Sequence, residues 1–123
     1  MAERYKRYAV NVEANTETTI FTAPNDGAGT PGAAGSVMVG FFVAATTQNA
    51  GTLTVSLTDY ALGTVVKLAD TIPLPADTSV DLMPGKMILQ HGPRTSDDAL
   101  TGDILKVTAT QAVSVILSMV ERV

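Results

Sequence analysis

The residues able to do chemistry are few, and their spacing argues against most reactions. His91 is the single histidine, and there is no cysteine. A hydrolase triad needs a nucleophile, a base and a group that orients the base. Ser36, Ser79, Ser96, Ser114 and Ser118 offer hydroxyls, yet none lies in the Gly-x-Ser-x-Gly turn that exposes a nucleophilic serine. The run Gln90-His91-Gly92-Pro93 reads instead as a turn after a strand. One imidazole and no thiolate do not make a zinc site. Asp97, Asp98 and Asp103 form an acidic cluster whose carboxylates are the hard ligands Ca²⁺ takes. Their spacing matches no EF-hand loop, so a solvated, turn-forming group is expected. Gly27-Ala28-Gly29-Thr30-Pro31-Gly32 fits the glycine string of dinucleotide sites. That motif works through a helix N-terminus that receives the pyrophosphate, and here a β-rich run follows. The expectation is a protein with no catalytic residue, no cofactor and no metal: not an enzyme.

The elements that would position such residues are strands. Runs rich in Val, Ile, Thr, Leu and Phe recur between Gly, Pro, Asn and Asp. Thr52 to Thr58 alternates strictly between apolar and hydroxyl side chains, as a strand with one wet face does. Leu105, Val107 and Ala109 alternate with Lys106, Thr108 and Thr110 in the same manner. Val113, Val115, Leu117 and Met119 form another inward row, with Ile116 and Val120 making the opposite face partly apolar. Ser36 to Ala44 is apolar on both faces, so it belongs at the centre of a sheet or against a second protein surface. Further strands are expected at 5–12, 18–22, 65–68, 79–82 and 87–90. Pro73 and Pro75 should bracket an extended, exposed link, and Ser96 to Gly102 has the caps of one helical turn. About eight short strands separated by frequent turns predict an all-β, antiparallel two-sheet β-sandwich, with jelly-roll wiring among the connectivities open to it.

With 123 residues the chain matches the commonest domain size. Residues 1–123 are therefore expected to form one sandwich, with 1–12 as an N-terminal arm or an edge strand. Composition supports a packed core: 46% of residues are hydrophobic and only 16% charged, against about 25% in an average soluble domain. No apolar run approaches the ~18 residues of a membrane span, and the polar start does not read as a signal peptide. Residues 1–7 carry three positive charges against Glu3, so the net charge of −4 leaves −6 on the remainder. An acidic body is repelled by phosphates, which disfavours direct nucleic-acid binding. With three Phe, three Tyr and no Trp, an aromatic platform for sugars or single strands is poorly supplied.

The order of the pieces carries a resemblance. Thr18-Thr19-Ile20-Phe21-Thr22-Ala23-Pro24 leads into the glycine-bearing loop 25–35, followed by the long apolar strand and the alternating strand Leu53 to Thr58. Ile72-Pro73-Leu74-Pro75, Ser79 to Leu82 and Lys86-Met87-Ile88-Leu89 come next. Gly102-Asp103-Ile104-Leu105-Lys106-Val107-Thr108-Ala109 and a valine-rich final strand ending at Val120-Glu121 complete it. This sequence of elements resembles small virion structural proteins of tailed bacteriophages. The resemblance implies a capsid decoration (cement) protein, with a head–tail neck or tail component as the alternative. It further implies partners among the virion proteins, the major capsid protein first, a homo-oligomer with a trimer favoured, and a place in the virion after assembly in the host cytoplasm. A carbohydrate- or receptor-binding β-sandwich is the rival from another class. Partner contacts are expected at the basic start (Arg4, Tyr5, Lys6, Arg7, Tyr8), at Asp26 and Thr30 in the glycine loop, and at His91 and Arg94, because loops and termini carry assembly contacts.

Overall fold

In the computed structural model, residues 3–23, 35–59, 63–82, 87–90 and 102–122 are described. They form nine strands: β1 (Glu3–Val12), β2 (Thr18–Thr22), β3 (Gly35–Ala45), β4 (Gly51–Thr58), β5 (Val65–Leu74), β6 (Ser79–Asp81), β7 (Met87–Gln90), β8 (Ile104–Ala109) and β9 (Val113–Arg122). One sheet has the order β1-β9-β3-β6, with β7 also paired to β3, and the other has the order β2-β8-β4-β5. Every pairing is antiparallel. Strands β6 and β7 lie one after the other along β3, opposite 42–44 and 35–38 respectively. Taken as one interrupted strand, they leave eight positions in two interleaved four-stranded sheets, which is the wiring of a jelly roll. The two-sheet sandwich expected from the alternation is the fold.

Alternation fixes which face each strand buries. Leu53 and Val55 of β4, Leu105, Val107 and Ala109 of β8, and Val113, Val115, Leu117 and Met119 of β9 are all buried. In β3 the buried residues are Ser36, Met38, Phe41 and Val43, with a step of three from Met38 to Phe41 where a regular strand allows two. A register shift between Met38 and Gly40 absorbs the extra residue and pushes Val39 to the surface. A second shift, between Thr19 and Phe21, lets the consecutive Ile20 and Phe21 both reach the core. The Tyr8 and Phe21 rings meet at 5.2 Å between centroids and tilt by 59°, joining β1 to β2 across the sandwich.

Several local expectations are corrected. Of the two readings of 1–12, an arm or an edge strand, the described residues take the second: β1 pairs with β9 through ten consecutive residues and forms the edge of its sheet. The link expected between Pro73 and Pro75 begins inside a strand: Pro73 and Leu74 are the last two residues of the ten-residue Val65–Leu74. Pro73 is tolerated there because β5 is an edge strand, where a missing N–H costs no ladder bond. Asp103 is not a solvated turn residue but is buried, at 3% exposure. Its carbonyl accepts a hydrogen bond from the Ala23 N–H at 2.8 Å, while the Gly102 N–H donates to the Ala23 carbonyl at 2.8 Å. These bonds extend the β2–β8 ladder past the strand ends and draw Asp103 inside. Asp97 and Asp98, and the turn expected at Ser96 to Thr101, lie outside the described residues.

The two ends of the sandwich differ. At one end, short connections are tied to each other. The Asn15 N–H donates to the Ala109 carbonyl at 2.7 Å, the Ala45 N–H to the Thr78 carbonyl at 2.8 Å, and the Thr46 hydroxyl to the Ala112 carbonyl at 2.9 Å. The opposite end holds the start of β1, the end of β2 and start of β3, the end of β4 and start of β5, and the end of β7 and start of β8.

Candidate functional site

The basic start divides between two environments, because successive residues of a strand point to opposite faces. Tyr8 is half-buried against Phe21, and the Lys6 ammonium lies 5.5 Å from the centroid of the Tyr8 ring. Tyr5 and Arg7 point the other way, onto the outer face of the five-stranded sheet, and Tyr5 is 80% exposed. Tyr5, Lys6, Arg7, Val39, Ser118 and Met119 line a shallow groove beside the β3 bulge. Arg4 belongs to β1, paired with Glu121. The other expected contact residues, Asp26, Thr30, His91 and Arg94, lie outside the described residues. The strands that lead into and out of those stretches end at the same end of the sandwich as the start of β1.

The outer faces of the two sheets differ in their central strands. On the β2-β8-β4-β5 sheet, the outward residues of β4 are Thr52, Thr54, Ser56 and Thr58, and those of β8 include Lys106 and Thr108. Lys106 pairs with Glu17 at 3.5 Å on this side. Hydroxyls and charges of this kind are at ease in water. The outer face of the other sheet carries two apolar rows, with Arg7, Ser118 and Gly40 between them and Asn11 and Ser114 beyond. Tyr5, Val120, Val37 and Ile88 stand in register across β1, β9, β3 and β7. Two steps further along, Ala9, Ile116 and Phe42 form a second row that ends on Asp81 of β6. Ile88 is 61% exposed, Phe42 48% and Ile116 43%. Large apolar side chains clustered on one face of a small domain mark an interaction surface. The two-faced apolarity of β3 and the pair Ile116 and Val120 were its signal in the sequence. The row structure was not legible, because it depends on cross-strand register.

Edge strand β5 is managed differently. Val65, Val66 and Leu68 are exposed on it, and an unpaired apolar edge is a template for unwanted strands. Its register with β4 shifts between Leu53 and Val55, and Thr71 adopts φ 53°. The Thr71 N–H donates to the Thr54 hydroxyl at 3.1 Å and the Thr71 hydroxyl to the Asp70 carboxylate at 3.0 Å, while the Lys67 ammonium stands 3.4 Å from that carboxylate. The Thr71 hydrogen bond, then Lys67, hold the Asp70 carboxyl below its ordinary value. The bulge and the charged pair break the flat edge another strand would need.

Among the described residues, no three His, Cys, Asp or Glu side chains gather where they could hold a metal ion. No helix of the described residues is long and apolar enough to cross a membrane.

No protein family and no curated protein matches the chain. Solved structures do. A point mutant of the VP2 protein of infectious bursal disease virus, in derived T=1 particles, aligns over 98% of this chain with a TM-score of 0.53 at 12% identity. The Gx strain of the virus and the VP2 subviral particle give TM-scores of 0.46 and 0.45, each at 14% identity over 98% of this chain. The chain spans about a third of the length of these viral chains, at 32%, 36% and 38%. What it shares with the VP2 protein is the fold.

Proposed function

We propose that this chain is a virion structural protein, and most specifically a capsid-surface decoration protein that stabilises the head through repeated protein–protein contacts. The observation that carries the reading is the wiring. A complete jelly roll, which is an architecture of viral shells, accounts for nearly the whole chain and aligns with a protein that forms viral particles. The step from fold to role is an analogy of fold. Surface chemistry supports it independently, since Tyr5, Phe42, Ile88 and Ile116 stand exposed on one sheet face, as suits a protein that works by protein–protein contacts.

In this reading the end of the sandwich that carries the start of β1 meets the capsid. Arg4, Tyr5, Lys6 and Arg7 begin the strand there, and the stretches holding Asp26, Thr30, His91 and Arg94 connect at the same end. A basic rim on an acidic body gives contacts whose rate and salt dependence betray them. Because β1 is a full ladder strand, deleting residues 1–7 would strip half of it. The cleaner variant is Arg4→Glu with Lys6→Glu, which should weaken binding to capsid shells at low salt and lose that effect at high salt. Particles made with and without the chain test the placement. Heads that rupture more easily while tails assemble normally identify a decoration role. Loss of tail attachment identifies a neck or tail component, and unchanged particles reject both.

A further inference from the structure

The geometry points to the outer face of the β1-β9-β3 sheet as the surface on which a second copy of this chain packs, about a two-fold axis parallel to the strands. The inference rests on the face itself and stands whether or not the chain belongs to a virion.

Size comes first. Four strands about 4.8 Å apart and about 33 Å long present about 600 Å² per copy. Two copies would then bury about 1,200 Å², at the lower limit for specific interfaces and above most lattice contacts. Tyr5, Val37, Val39, Phe42, Ile88 and Ile116 supply its apolar area, on either side of the Arg7–Ser118–Gly40 row. Their cross-strand rows form ridges that two twisted sheets can interleave at the usual aligned angle of about −30°.

Charge then selects the occupant and the axis. Arg7 lies on the β1 side of this face, and Asp81 lies on the β6 side. Arg7 stands in the row next to that of Asp81, offset by two residues, or about 7 Å along the strands. A two-fold axis parallel to the strands, between β9 and β3, lays β1 of each copy over β6 and β7 of the other. Each Arg7 then stands about 7 Å along the strands from the partner's Asp81, and each Tyr5 covers the partner's Ile88. An axis perpendicular to the strands would instead set β1 on β1, bringing Arg7 toward Arg7 and Asp81 toward Asp81. Only the first arrangement is isologous and complementary in charge. Ile116 and Phe42 flank the axis, so each Ile116 faces the partner's Phe42 and the two Ile116 side chains lie close together across it.

Sedimentation equilibrium of the full chain tests this. The expected result is a reversible monomer–dimer equilibrium. Ile116→Asp, which places two like charges near the axis, should raise the dissociation constant at least a hundred-fold with an unchanged far-UV spectrum. Phe42→Ser serves as a second variant and should weaken pairing in the same direction. Arg7→Asp and Asp81→Arg should each weaken pairing about ten-fold, and the double exchange should restore it to within a few-fold of the parent. A monomer at every concentration overturns the inference, as does a trimer or other oligomer indifferent to Ile116→Asp. A chain that stays monomeric yet loses binding to capsid shells on Ile116→Asp assigns the face to a different protein, which overturns self-pairing and leaves the virion reading standing.

Discussion

Neighbouring residues of β9 offer a paired perturbation that tests the register of the whole sandwich. Leu117 is fully buried, and Ile116 is 43% exposed on the opposite face. Leu117→Ala removes apolar volume from a site that cannot collapse freely, because Phe41 is its cross-strand partner on β3 and Tyr8 its partner on β1. Substitutions of this kind cost 2.7–5.0 kcal/mol in a well-studied series, so about 3–4 kcal/mol is expected here. Ile116→Ala removes a side chain already partly in water and should cost about 1 kcal/mol or less when the protein is monomeric. At about 3–5 °C per kcal/mol for a domain of this size, the melting temperatures should fall by roughly 10–15 °C and by less than about 5 °C respectively. Urea unfolding of both variants at protein concentrations too low for pairing gives the comparison directly, provided the slope of free energy against urea is unchanged. Equal costs, or a larger cost at Ile116, would refute the assignment of faces. A one-residue slip of β9 exchanges every inward residue for an outward one, so no small adjustment would rescue it.

Three further outcomes follow from local geometry. A Cβ at Gly51 would stand 2.5 Å from the Thr110 hydroxyl oxygen, which already accepts from the Thr52 N–H at 2.8 Å, whereas a Cβ at Gly40 meets Ser118 at an ordinary 3.5 Å. Gly51→Ala should therefore lower stability by about 1–3 kcal/mol in chemical denaturation, with Gly40→Ala costing clearly less. The Asp70 carboxyl should titrate below its ordinary value by NMR, and Thr71→Val should move it back up. Because the folded state lowers that value, its small stabilising contribution is present above the ordinary carboxylate range and fades as pH falls through the folded value. Glu17→Gln, which removes the charge facing Lys106 on the wet sheet, should change stability by about 0.5 kcal/mol or less, and less still in high salt.

The fold was legible where side chains alternate. Thr52 to Thr58 and Leu105 to Ala109 announce one buried and one wet face, and the structure buries the residues the pattern selects. The centre of the β1-β9-β3 sheet was legible in the two-faced apolarity of β3. Bulges were not, because Val39 and Phe21 break the period of two only in relation to partner strands far away in sequence. Pro73 misled for a related reason: whether a proline ends a strand or sits on an edge depends on sheet position. Asp103 misled because its neighbours Asp97 and Asp98 suggested a solvated group, while its burial comes from backbone pairing with Ala23. For the surfaces, composition located charge at the start of the chain but not its division, with Tyr8 turned to Phe21 and Arg7 turned outward. That division follows from which residue of β1 first meets the core.

The central claim, that the chain works by its surfaces as a component of a viral particle, is tested most directly by co-sedimentation with shells of the major capsid protein assembled without it. The account predicts saturable binding at a fixed ratio set by shell symmetry, with shells that then resist heat longer. A chain that stays at the top of the gradient at every ratio, even at low salt, would contradict it.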